Sequence, residues 1–422
     1  MKEDFLHFLW RFRRFDQAGL VSTAGETIDI IHPGEHNSHA GPDFSNARVR
    51  IGGTLWAGNV EMHLKSSEWS AHNHQQDEAY RNVILHVVME EDKPVLRPDG
   101  SRIPCLEMKK RVPTKLLGTY QKILHNEYWI PCQHQFSSVP ELTKKLWLDR
   151  LLVERLENKT ELIKTVLLKN KMDWEETFYQ FTARNFGLKI NVEPFELLAR
   201  SLPQNILARH KDNLLQIEAM VFGQAGMLEK EFTDDYPNEL KKEYLFLKNK
   251  FNLSPINSVM WKFLRLHPGN FPTIRLAQFA KLIYGSVHLF SKILEVENLK
   301  EIEGLFSVKL SGYWLTHYVF EKESEKRNKS FGKEAIRLMT INTIVPFLFL
   351  YGNEIKEEVF KDKALRLLEE LKPEKNTIIK GWESLGVVAD SAYQTQALLQ
   401  LKNEYCNKKR CLECSIGGAI LK

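Results

Sequence analysis

The sequence predicts an α+β protein in which a small α/β module with a mixed sheet precedes a larger all-α domain. In the first third, apolar residues alternate singly or stand in short unbroken runs, the periods of half-buried and fully buried strands. Beyond about residue 136 they recur at helical spacing, with no fixed-period repeat of the kind a solenoid needs. At 422 residues the chain exceeds what one hydrophobic core usually covers. The expected division is residues 1–135 and residues 136–422, the second part ending in a cysteine-containing tail.

Each element follows from its local pattern. Phe5, Phe8, Leu9 and Phe12 share one face of a helix over residues 4–16, with arginines on the other face. From Thr27 the period changes. Residues 27–31 read as a short strand, and residues 32–42, rich in Gly, His, Asn and Pro, as a loop. Residues 47–51 alternate and are closed by Gly52-Gly53, which predicts a hairpin with residues 54–65. Residues 77–80 read as a short helix, and residues 83–89, nearly all apolar, as a strand buried on both faces. A second hairpin is expected around Pro98-Asp99-Gly100, joining residues 95–97 to 103–108. After residue 136 no further strand is expected.

Composition narrows the class. Hydrophobic residues at 43% and charged residues at 27% suit a globular chain and argue against long disorder. A net charge of +5 is as compatible with a solvated surface as with a nucleic-acid footprint. The charged start and the arginines at 11, 13 and 14 do not form a secretory leader. The most apolar stretch, residues 339–351, is too short to span a bilayer and contains Asn342 and Pro346, so it reads as a buried core helix. The five cysteines are odd in number and three are clustered, which suits a reducing compartment. The expectation is a cytoplasmic protein without a membrane partner.

Candidate chemistry concentrates in the first quarter. On a strand over residues 54–65, Val60, Met62 and Leu64 share one face, and Glu61, His63 and Lys65 the other. Asp43 precedes the neighbouring strand. Around them stand His32, Glu35, His36, Asn37, His39, His72, His74 and Asp77, and eight of the 14 histidines lie at or before His86. Two carboxylates on adjacent strands suit Mg²⁺ or Mn²⁺, so Asp43, Glu61 and His63 are candidate metal ligands. His63 or Lys65 would orient a water or stabilise charge on a phosphoryl oxygen. His72-x-His74-x-x-Asp77 reads either as a zinc half-site or as a polar loop in which Asp77 caps the next helix. His86, set among Leu85, Val87 and Val88, reads as a buried core histidine whose partner could be a site residue.

Pro42-Asp43 followed by Glu61-Met62-His63 resembles the PD-(D/E)XK nuclease pattern. The expected order of elements to residue 88 (helix, three strands, helix, strand) is similar to the restriction-endonuclease-like core. The resemblance implies Asp43 and Glu61 as the two acidic positions, with a third acid often drawn from the first helix; Glu3 stands there, and Glu35 is the loop alternative. At the third motif position, where that superfamily has lysine, this chain has His63, with Lys65 two residues on along the same face. The resemblance implies a metal-dependent nuclease acting on DNA or RNA. The alternatives are a degenerate nuclease fold that binds nucleic acid or a protein without cutting, and a zinc hydrolase of a small substrate. More widely, residues 40–44, 58–63, Trp69, 72–74 and 85–88 resemble a bacterial family, the domain of unknown function 2851. The likeness extends to Phe222-Gly223-Gln224-Ala225-Gly226 and to Cys411-Leu412-Glu413-Cys414, and implies a complete, stand-alone bacterial protein.

The tail carries Cys406-x₄-Cys411-x₂-Cys414. Thiolates at that spacing can hold zinc or an iron–sulfur cluster, which normally takes four ligands. Cys132 or Cys105 would have to return as the fourth, with His134 a further candidate. The basic runs Lys408-Lys409-Arg410 and Lys109-Lys110-Arg111 read either as solvated surface or as phosphate contacts.

Overall fold

The structure, a computed structural model, describes residues 2–37, 40–286 and 288–421. His39 lies outside the described residues. The chain forms two compact units: Met1–Asp149 with Gln400–Lys422, and Arg150–Leu399. The division expected at residue 135 therefore falls at residue 149, inside a helix over Glu141–Lys169, and the tail belongs to the first unit. The α+β class holds, with one mixed sheet in the first unit and a larger helical part.

In the first unit α1 (Glu3–Arg11) leads into β1 (Ile28–His32), β2 (Glu35–His36), β3 (Phe44–Ile51) and β4 (Thr54–Lys65). A short α2 (Glu68–Ala71) and two 3₁₀ turns lead to β5 (Val83–Glu90) and β6 (Cys105–Glu107), and α3 (Thr114–His125) closes the series. The sheet order is β1-β3-β4-β5-β6, with β2 also paired to β3. The β3 pairings are antiparallel, whereas β4/β5 and β5/β6 are parallel. The expected hairpin at Gly52-Gly53 forms, with Ile51 opposite Thr54.

The second expected hairpin does not form. Residues 95–97 contribute a single bridge, Leu96 to Arg102, and Cys105–Glu107 instead joins β5 in parallel. The reason lies in β5, whose residues from Val83 to Val88 are all buried. Such a strand needs a partner on each side.

One face of the sheet meets α1 and α3. Phe5, Leu9, Trp10, Phe44, Val60, Met62, Leu85, Val87 and Tyr120 build that core. Tyr120 stacks on Phe5 at 4.2 Å, and the Trp10 indole donates to the Pro33 carbonyl. The opposite face is covered as well, by a smaller cluster of Trp69, Val83, Val95 and Ile103 with Tyr80 packed against it. That cover turns the polar face of β4 into an interior.

Gly58 sets the spacing of the two central strands. The β4/β5 register shifts between Asn59 and Val60, and a Cβ at Gly58 would stand 2.5 Å from Ile84 Cγ2 and 2.6 Å from the Asn82 carbonyl. Gly58→Ala should push β5 away and lower the stability of the first unit by about 1–3 kcal/mol, the usual cost of overpacking. A melt of the variant that matches the wild type would refute this.

Among the described residues the second unit is helical apart from a bridge, Lys309 to Ser330, and a small hairpin, His317–Val319 with Lys322–Glu323, which corrects the expectation of no strands past residue 136. In the Phe222–Gly226 run, Gly223 lets two helices touch. A Cβ there would lie 2.0 Å from the Tyr244 ring, and Gln224 accepts from the Tyr244 hydroxyl at 3.0 Å. That motif is packing. Among the described residues one helix, Lys333–Ile355, is long and apolar enough to cross a membrane, and 78% of its apolar window is buried. Pro346 sits in its middle without an N–H to donate, and the preceding turn, Thr340–Ile344, is wound as a π-helix.

Candidate metal centre

The polar face of β4 gathers the predicted residues. In the parallel register Glu61 lies opposite His86 and His63 opposite Val88, so Glu61, His63 and His86 share the covered face. His63 is 1% exposed and Glu61 4%. The ring of His63 is held between two others: its Nδ1 lies 2.9 Å from His86 Nε2, and its Nε2 lies 3.2 Å from His72 Nδ1. His74 Nε2 stands 3.3 Å from Glu61 Oε1, and His63 Nε2 stands 3.7 Å from the same oxygen.

The loop after β4 brings His72 and His74 in. Glu68 accepts from the backbone N–H groups of Leu64 and Lys65, which folds α2 back over the strand end. Asn73 takes a left-handed conformation between the two histidines, and Tyr80 stacks on His74 at 3.8 Å. Asp77 caps the following 3₁₀ turn by accepting from Ala79 N, while His72 meets His63 and His74 meets Glu61. Among the described residues, His63, His72 and His74 are the group whose ligand atoms all lie within 4.8 Å of one another. His72 is exposed, and the cluster opens there.

Asp43 joins from the next strand. Its N–H donates to Glu61 Oε2 at 3.1 Å, and its Oδ2 accepts from Met62 N at 2.9 Å. A bulge at the start of β3, between Phe44 and Ala47, brings it there. Asn37 braces the turn before it by donating to the carbonyls of Ala40 and Pro42. On the far side of Asp43 stands His7 of α1, its Nε2 3.3 Å from Oδ2. Sequence reasoning passed over His7; the signal was a histidine embedded in the buried run of α1, one helical turn after Glu3 and Asp4. Glu3 is drawn in too: burial raises its carboxyl, and the nearby Asp43 charge adds to this.

Other candidates lie apart. Lys65 is exposed at the end of β4, opposite Glu90. Glu35 is exposed on β2 opposite Ser45. His32 accepts from Gly34 N in its own turn. His36 packs beside Phe44 and His7. Lys109 pairs with Glu90, and Arg111 donates to the carbonyls of Asp16, Ala18 and Gly19.

Burial dominates the electrostatics. It pushes His63 down to about 2, with His86, His74 and His72 adding to the effect, and His86 down to about 4. His74 is lowered by burial and then by His72. These rings are neutral imidazoles with lone pairs available. Burial, then the Asp43 charge, holds the Glu61 carboxyl above the usual carboxylate range. His7 goes the other way: burial would lower it, but the Asp43 hydrogen bond and the charges of Asp43, Glu3 and Asp4 raise it overall.

Two hollows lie near these residues, one that includes His7 and one that includes His74. A cleft of about 590 Å³ is lined by Lys2, Arg11, Lys408, Lys409 and Arg410, with His7 and His36 on its floor and Asp4 and Glu413 as its acids. A smaller hollow of about 270 Å³ opens on His74, Tyr80, Asp77 and Arg97.

Fold and site together define an α+β protein with a histidine–carboxylate cluster on the covered face of a mixed sheet. The chain belongs to DUF2851, a family of proteins of unknown function, whose model matches residues 3–377. The cysteine tail lies beyond the matched residues. No curated protein and no solved structure matches the chain.

Proposed function

We propose that this chain is a metal-dependent hydrolase of phosphodiester bonds in nucleic acid, with His63, His72 and His74 as metal ligands and Glu61 as the proton acceptor. The convergence of the three imidazoles carries this reading. The 3.2 Å between His63 Nε2 and His72 Nδ1 fits the edge, about 3.3 Å, of a tetrahedron with metal–nitrogen bonds of about 2.0–2.1 Å. His86 braces His63 from behind, as partners of ligating histidines do. Imidazole donors suit zinc better than the magnesium or manganese that Asp43 and Glu61 alone would favour.

Held by His63, His72 and His74, a divalent ion would supply an acidified water and offset charge on a phosphoryl oxygen. Glu61 Oε1, 3.3 Å from His74 Nε2, is placed to take the water's proton. The cation's charge would lower the Glu61 carboxyl into its basic form. Asp43 orients Glu61 through its N–H and holds His7 toward the cleft. His7, raised where His63, His74 and His86 are lowered, lines the cleft and would be its proton donor.

Two features favour a nucleic-acid substrate. The acids Glu3, Asp43 and Glu61 come from a first helix, the turn into β3 and the adjacent β4, an arrangement similar to that of the nuclease superfamily the sequence resembles. The cleft that His7 lines carries five Lys and Arg residues beside Asp4 and Glu413. Cleavage of single-stranded, double-stranded and structured DNA and RNA with Zn²⁺, Mn²⁺ or Mg²⁺ tests the reading. Inactivity on all of them by a folded protein carrying metal would sink it. Arg11→Ala and Lys408→Ala should each weaken binding across sequences and shallow the salt dependence by about one unit of slope. Unchanged salt slopes in filter binding would exclude the cleft.

A zinc hydrolase of a small substrate is the second reading, favoured by the hollow that opens on His74. In that case Arg97→Ala would reduce turnover of a small ester and the cleft variants would not.

A further inference from the structure

The tail closes on itself around four cysteines that the proposed hydrolysis does not use. Cys406, Cys411 and Cys414 lie in the returning segment, and Cys132 lies in the loop after α3. These two stretches are joined at several points. Lys409 Nζ donates to the Leu124 and Asn126 carbonyls, and Lys402 sits over the Trp129 ring at 5.0 Å. Trp147 meets Tyr405 edge-on at 5.3 Å. The short helix Ser415–Ile420 packs against the 3₁₀ turn Phe136–Ser138, just after Cys132.

The thiols come together in this seam. Cys406 lies in the electrostatic reach of Cys132, Cys414 and Cys411; Cys411 in that of Cys132 and Cys414; and Cys132 in that of Cys414. None is in a disulfide. Cys105, the other candidate for the fourth ligand, is buried in β6, where its neighbours are Glu91, Thr23 and Arg102. Around Cys414 the backbone folds to serve the sulfur. Burial raises this thiol, and the nearby N–H groups of Gly417 and Ile416 work in the opposite sense. Gly417 also lies so close to the Cys411 carbonyl that a Cβ would stand 2.1 Å from it. Donors aimed at a sulfur are what a bound thiolate needs.

We propose that Cys132, Cys406, Cys411 and Cys414 bind an iron–sulfur cluster that fastens the tail to the sheet-bearing unit. The spacing C-x₄-C-x₂-C is the one plant-type ferredoxins use for such a cluster, with the fourth cysteine here upstream in place of downstream. The sulfurs are also spread too widely for a single ion. Among the described residues no three of them lie within 4.8 Å of one another, whereas zinc with bonds of about 2.3 Å would hold four sulfurs at edges of about 3.8 Å.

The cluster has a consequence for the site. Residues 407–413, bracketed by Cys406 and Cys414, supply Lys408, Lys409 and Arg410 to the cationic cleft. Loss of the cluster frees that wall, so nucleic-acid binding should weaken when the cluster is oxidised; this part rests on the function proposed above. The test is iron, acid-labile sulfide and zinc content of the full chain purified without air. Iron and sulfide are expected in equal amounts, about two or four of each per chain. Cys411→Ser and Cys414→Ser should lose most of both, and Cys105→Ser should keep them. Zinc without sulfide, or no metal at all, in the wild type would overturn the proposal whether or not the variants fold. Iron and sulfide in a protein that binds no nucleic acid would leave the cluster standing and remove only the proposed substrate.

Discussion

Glu61→Gln should lower the rate of phosphodiester cleavage by on the order of a thousandfold and leave metal bound at the three histidines. The amide cannot take a proton, but it keeps the shape that accepts from Asp43 N. His63→Ala should differ in kind. It removes the imidazole that touches both His72 and His86, so metal affinity should fall by more than the 10–100-fold typical of losing an outer partner. Rate and metal content measured on the same preparations separate the two roles. If Glu61→Gln loses its metal, Glu61 is a ligand and the proton acceptor lies elsewhere. If it cleaves at the wild-type rate, the proposed chemistry is wrong.

The contrast between these two residues shows where the sequence was legible. The alternation through Val60, Glu61, Met62 and His63 placed the two polar side chains on one face, and the parallel register to β5 confirms that geometry. The same alternation carried Lys65 to that face as well, but β4 ends there in solvent. Strand periodicity says which face a side chain takes, not how far along the strand the cover extends. That cover is made by residues 66–103, whose Trp69, Val83, Val95 and Ile103 form the second, smaller core. Its segments pack by long-range contacts, and no local pattern announces them. The failed second hairpin has the same origin: Pro98-Asp99-Gly100 does turn, but β5 competes for the strand that would have completed the pair.

His7 was missed for a related reason. A helix of nine residues with five of them buried has little room for a polar face, and a histidine in it looks like core. Its partner, Asp43, is 36 residues away and reaches it only because β3 bulges at its start. The cysteine tail was legible in the opposite sense. Its local spacing is distinctive, while its meeting with the segment around Cys132 depends on where the chain returns, which no local pattern announces.

The second unit holds a buried acid whose effect on stability should be large. Glu218 lies in the helix Leu214–Gln224, and burial raises its carboxyl to about 7 despite a hydrogen bond from Tyr236 and the positive charge of Lys281. The Tyr236 hydroxyl also accepts from the Trp314 indole at 3.0 Å, so it is held in place on both sides. In the folded state Glu218 keeps its proton to about pH 7, whereas in the unfolded chain it loses it near 4.5. The folded state therefore binds more protons between those values, and stability falls as pH rises from 4.5 to 7. A difference of that size is on the order of 3 kcal/mol, fully expressed above pH 7 and absent below 4.5. Glu218→Gln keeps the acceptor for Tyr236 and has no charge to bury. It should raise the melting temperature of the second unit by roughly 6–12 °C at pH 8 and by almost nothing at pH 4. Melts of wild type and variant that stay parallel across that range would show that Glu218 is ionised in the folded protein, with Lys281 offsetting its burial.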